Sequence, residues 1–125
     1  MCVIVGGCGG GGGAKPVPIS GPAKQVASVI QRLQKATSAH DFATICDELL
    51  SADTRKRLGG QDCATVLSER AGGVRRPRIR IQAIDVQDGR AAVRVRTTAV
   101  GQAPTTDVIR LVRENGSFRI DSLGR

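Results

Sequence analysis

Residues 76–123 read RPRIRIQAIDVQDGRAAVRVRTTAVGQAPTTDVIRLVRENGSFRIDSL. Apolar and polar residues alternate with a period of two, the mark of strands buried on one face. The alternation recurs in four segments: RPRIRIQAIDVQD, GRAAVRVRTTA, TTDVIRLVREN and SFRIDSL. In the first, Ile79 and Ile81 alternate with Arg78, Arg80 and Gln82. Beyond Ala83 the phase slips, and Ile84 and Val86 take the apolar side, which predicts a β-bulge and a sharp bend. Ala91, Val93, Val95 and Thr97 face inward in the second segment. Ile109 and Leu111 do so in the third, opposite Val108, Arg110 and Val112. In the fourth, Phe118 and Ile120 return to the core beside outward Arg119 and Asp121. Asp88-Gly89 and Asn115-Gly116 are two-residue hairpin signals, whereas Gly101 to Pro104 reads as a longer connection. The stretch is therefore a bent four-stranded antiparallel sheet.

Upstream, the apolar period changes to that of a helix. Val26, Ile30, Leu33 and Thr37 form one stripe, with Ala23 and Val29 beside it and Gln25, Arg32 and Lys35 facing away. Ser20 or Gly21 caps this first helix, Pro22 suits its first turn, and it ends near Ser38-Ala39-His40. Asp41 caps a second helix carrying Phe42, Ile45, Cys46, Leu49 and Leu50. A short helical turn capped by Asp53 and stopped at Gly59-Gly60 leads to a third. That helix is capped by Asp62, carries Cys63, Val66 and Leu67, and ends at Gly72-Gly73. The predicted class is α+β, with three N-terminal helices packed on the sheet as a cone.

The 125 residues suit one domain over residues 20–125 plus a leader over 1–19. With no Trp or Tyr and with Phe42 and Phe118 the only aromatics, the core must be aliphatic. The net charge of +8 raises nucleic acid or an anionic surface as partners. No stacking aromatics are interleaved with the basic residues, which argues against single-strand nucleic acid. Six arginines, Arg78, Arg80, Arg94, Arg96, Arg110 and Arg119, share the outer face of the sheet. They read either as a solvated surface or as a contact for anionic lipid headgroups or envelope polymer.

In the leader, Val5-Gly6-Gly7-Cys8 resembles a bacterial lipobox, which implies lipidation at Cys8. The glycine run Gly9 to Gly13 with Pro16 and Pro18 reads as its tether. A secretory signal needs a charged n-region and an apolar h-region of about 7–15 residues. Only Cys2 to Val5 precede the small residues, so the expectation is a signal that starts upstream of Met1. The alternative is a Gly-rich leader on a cytoplasmic protein. Cys46 and Cys63 lie on apolar helix faces that meet the same sheet. In an exported domain they read as a disulfide, and otherwise as two buried thiols. A metal site is disfavoured, since no second ligand pair accompanies them.

Three helices followed by a bent meander resemble the nuclear-transport-factor-two-like (cystatin-like α+β cone) superfamily. The likeness rests on the first helix stripe, Asp41-Phe42, Cys46 with Cys63, the two hairpins, and Val112 to Ile120. It extends to small secreted or lipid-anchored actinobacterial members. Enzymes of that superfamily imply an inward carboxylate or His base with a Tyr or acid donor. This chain has no Tyr, its single His40 sits at a helix junction, and Asp85 and Asp107 are the remaining candidates for an inward carboxylate. The expected function is a non-catalytic cell-envelope domain, lipid-anchored or secreted, that binds a small apolar ligand or a protein partner. No cofactor or metal is expected, and the domain is a monomer or homodimer whose arginine face resists symmetric sheet pairing. A cone-pocket enzyme of isomerase or dehydratase type is the alternative.

Overall fold

The computed structural model describes residues 21–123. Helix α1 (Gly21–Ser38) ends where His40, at φ +56°, turns the chain into α2 (Phe42–Thr44). Asp41 caps α2, with Oδ1 accepting from Thr44 N at 3.2 Å and Oδ2 from the Thr44 hydroxyl at 2.7 Å. The helix then widens into a π segment (Ile45–Leu49), closed by a bond from Leu50 N to Ile45 O. Helix α3 (Ala52–Arg57) and a 3₁₀ turn (Gly60–Asp62) lead to α4 (Cys63–Ala71). Strands β1 (Arg78–Gln87), β2 (Arg90–Ala99), β3 (Gln102–Glu114) and β4 (Ser117–Ser122) form one antiparallel sheet in the order β1-β2-β3-β4. The class is α+β, with helices on one face of the sheet, as the alternation predicts.

The register of β1 on β2 shifts between Ile81 and Ala83, so the bulge lies where the apolar phase slips. Both predicted hairpins have positive φ at both turn residues, Asp88 and Gly89, then Asn115 and Gly116. The β2–β3 connection is tighter than expected. Ala99 pairs with Gln102 around Val100-Gly101, and Gly101 supplies the positive φ. Pro104 lies within β3, where β4 no longer flanks it: β4 pairs only with the stretch Arg110 to Glu114. On such an open edge a missing N–H does no harm.

One aliphatic core fills the space between the layers. Val26, Ile30 and Leu33 of α1 meet Leu49, Val93, Val95, Leu111 and Ile120, with Phe42 and Phe118 at the margins. In α1 Ala36 takes the buried position expected of Thr37, which is half-buried with its hydroxyl donating to Leu33 O at 2.7 Å. Each outer strand of the sheet is met at one point by the helical layer. Leu50 bridges Ile120 in parallel, with Ser51 N donating to Ile120 O at 2.8 Å. On the other edge the Gln34 side chain of α1 accepts from Ile79 N.

The α3 cap differs from the expectation. Ser51, not Asp53, caps the helix, because pairing with β4 holds Ser51 extended and fully buried at the helix start. Its Oγ accepts from Thr54 N at 3.2 Å and lies 2.9 Å from Thr54 Oγ1 and 3.1 Å from Asp121 Oδ1. Asp121, expected to face solvent, is thereby half-buried against α3. Asp62 stands at the cap position of α4 but makes no capping bond with its side chain. Cys46 and Cys63 are disulfide-bonded, which ties the π segment to the first residue of α4.

Candidate functional site

Helices that lean on a bent sheet leave space where they diverge from it. Here that space is an apolar cleft of about 150 Å3. Its walls are Leu33 and Thr37 of α1, Phe42 and Ile45, Leu67 and Ala71 of α4, and Ile79 of β1. Leu123, 37% exposed, stands at its rim. The Thr37 hydroxyl is engaged by Leu33 O, so the lining presents almost no free polar group. No carboxylate among the described residues lines it.

The two candidate carboxylates are not brought together. Asp85 is exposed on the outer face, opposite Ala92. Asp107 lies in phase with Ile109 on the helix side, opposite Val95, and accepts from the Thr105 hydroxyl at 3.2 Å. The sheet separates them, and neither borders the apolar cleft. His40 is exposed, its ring stacked on Phe42 at 5.9 Å and its Nε2 3.4 Å from Val74 O. That is the junction role its position in the sequence predicts. Among the described residues no three His, Cys, Asp or Glu side chains converge. Cys8 lies outside the described residues. No described helix is long and apolar enough to cross a membrane.

The six arginines of the outer face are divided by the fold. Arg78, Arg80 and Arg96 lie towards the β2–β3 turn, and Arg94 lies at mid-strand. Arg110 lies at the opposite end, in a recess it shares with Asp85 and Asp121. Arg119 reaches round the β4 edge and donates to Asp47 O at 3.2 Å. A larger and polar groove of about 750 Å3 runs between α1 and the β3–β4 hairpin, with the Arg32–Glu48 ion pair beside it.

This architecture has a counterpart among solved structures. A candidate NTF2-like transpeptidase from Campylobacter jejuni superposes with a TM-score of 0.56 at 14% identity, over 78% of this chain and 97% of that one. The chain has the NTF2-like fold. A de novo designed NTF2-fold protein, NT-9, matches with a TM-score of 0.46 at 20% identity, over 79% of this chain and 80% of its own. No family model and no curated protein matches the sequence. At these identities the likeness concerns the fold, and an NTF2-like cone serves both binding proteins and enzymes. The cleft of this cone was not legible in the sequence. Its lining comes from five separate elements, and an apolar residue that faces a cleft has the same period as one that faces the core.

Proposed function

We propose that this NTF2-like domain is a non-catalytic binding module of the cell envelope whose cleft takes the apolar end of a small ligand. The observation that carries this reading is the cleft lining, eight residues without an ionisable group. A space of this size accommodates a benzene-sized group, so the cleft would hold one end of a ligand while the remainder stays outside. Pockets that enclose a whole drug-sized ligand begin at about 300 Å3. The isomerase or dehydratase alternative has less support, because Asp85 and Asp107 lie on opposite faces of the sheet and away from the cleft.

An extracytoplasmic location is supported by the Cys46–Cys63 bond, since disulfides persist in oxidising compartments. Lipid anchoring through Cys8 is supported by the Val5-Gly6-Gly7-Cys8 motif and the tether behind it. Intact mass and fractionation of the protein expressed with its upstream reading frame test both. A cytoplasmic, unlipidated product refutes the anchor.

Titration with a solvatochromic acyl probe tests the cleft. Ala71→Leu extends a branched chain into the space and displaces about two methylenes of a ligand, which weakens binding roughly tenfold or more. Equal binding by the wild type and by a correctly folded Ala71→Leu variant refutes the cleft as the site.

A further inference from the structure

Antiparallel register sets Arg80 directly opposite Arg96 and Arg78 directly opposite Thr98 on the outer face. Like charges in directly opposed positions are destabilising, and no ion pair among the described residues offsets them. β1 carries no acid before Asp85, β2 carries none at all, and the only acid in the first half of β3, Asp107, points to the other face. None of Arg78, Arg80, Arg94 and Arg96 makes an ion pair with a described residue. Between them and the β1 edge lies a recess of about 380 Å3, lined by Arg78, Arg80, Arg96 and Thr98 with Gln34 and Ile79.

We infer that Arg78, Arg80 and Arg96, with the Thr98 hydroxyl, form a binding site for a phosphate-bearing group, monoester or diester. A guanidinium presents its donors as a planar fork that matches phosphate oxygens two at a time. Three such forks around one concavity, with a hydroxyl donor among them and no carboxylate in the wall, are complementary to a multivalent oxyanion. An anion bridging Arg80 and Arg96 converts their repulsion into attraction. Arg110 supplies an internal comparison, because the same residue type on the same face shares its recess with Asp85 and Asp121. The inference stands independently of the apolar cleft.

The full chain is titrated at fixed ionic strength with pyrophosphate, and separately with phosphatidylglycerol and phosphatidylcholine vesicles. Thermal shift and the arginine Nε–H resonances are the readouts. Pyrophosphate is expected to raise the melting temperature of the wild type and to move the resonances of the recess. R80Q/R96Q weakens binding by about tenfold or more, the effect of losing a charge-assisted hydrogen bond, whereas R110Q stays within about twofold. R80Q/R96Q melts no lower than the wild type, because it removes a like-charge pair, so a loss of binding is not a loss of fold. Should the double variant be unstable, the single variants R80Q and R96Q carry the same comparison. Binding of pyrophosphate assigns a soluble phosphate-bearing ligand. Binding confined to phosphatidylglycerol vesicles and lost in R80Q/R96Q assigns a lipid headgroup. Equal weakening by R110Q, no weakening in R80Q/R96Q, or no binding of either probe overturns the site.

Discussion

Reduction of the Cys46–Cys63 bond should destabilise the domain by an amount that its loop length sets. The bond joins residues 17 apart in sequence. In the chain-entropy model a closed loop of that length removes about 3 kcal/mol of conformational freedom from the unfolded chain. Both cysteines are buried, at 3% and 1% exposure, and the freed thiols can remain in the core as small hydrophobes. The loss on reduction is therefore close to the entropic figure alone. For a domain of about 100 residues it lowers the melting temperature by about 12 °C. Cys46→Ala/Cys63→Ala should lose slightly more, because removing two sulfurs leaves space in the core. Thermal and urea unfolding with and without reductant measure both. The urea m-value should rise on reduction, since an uncross-linked unfolded state exposes more surface. The bridge also joins the walls of the cleft, Phe42 and Ile45 on one side and Leu67 and Ala71 on the other. Affinity for an acyl probe should accordingly fall before the protein unfolds. A melting shift below about 4 °C, or an unchanged m-value, would refute the view that the bond acts by restraining the unfolded chain.

Ser51→Ala is expected to destabilise by about 2 kcal/mol, because it removes the α3 cap and leaves Thr54 N without its acceptor in a buried setting. Asp53→Ala, at the first exposed turn of the same helix, should change stability by less than about 0.5 kcal/mol. Urea unfolding of the two variants decides whether the buried serine or the exposed aspartate caps the helix. The unpaired arginines at one end of the outer face predict a monomer at low salt, since symmetric pairing of that face would place like charges against each other. Sedimentation velocity at two salt concentrations checks this, and a stable low-salt dimer joined through the sheet counts against the charge argument.

What was legible in the sequence had a local cause. The slip at Ala83 is visible because a period of two admits no other account of Ile81 followed by Ile84, and Asp88-Gly89 and Asn115-Gly116 carry the positive φ that their turns need. The misreadings share a tertiary cause. Ser51 and Asp53 are both good capping residues, and what selects Ser51 is its hydrogen bond to Ile120, far away in the chain. The π segment was hidden because Ile45, Cys46, Leu49 and Leu50 fit a helix stripe equally well, and only the bond from Leu50 to Ile45 distinguishes it. Pro104 looked like a loop residue because its tolerance depends on where β4 stops. The division of the arginines follows from register: in sequence Arg80 and Arg96 are ordinary outward residues on two strands, and only pairing sets them face to face.

Ile79 makes the apolar cleft and the arginine recess neighbours, because it borders both. Its amide is held by Gln34, so one side chain of α1 fixes the wall between them. Gln34→Ala removes that acceptor on a half-buried sheet edge, at a cost of about 1 kcal/mol where water can partly replace it. The edge of β1 should then fray, and hydrogen exchange at Ile79 should speed up without global unfolding. Since both sites use this wall, affinity for the acyl probe and for pyrophosphate should fall together in Gln34→Ala. Ala71→Leu should affect only the acyl probe, and R80Q/R96Q only pyrophosphate. Faster exchange at Ile79 with both affinities intact would show that neither site depends on the wall. If only one affinity falls, the site it reports is the one built on the β1 edge, and the other is held by the helices or by β2 alone.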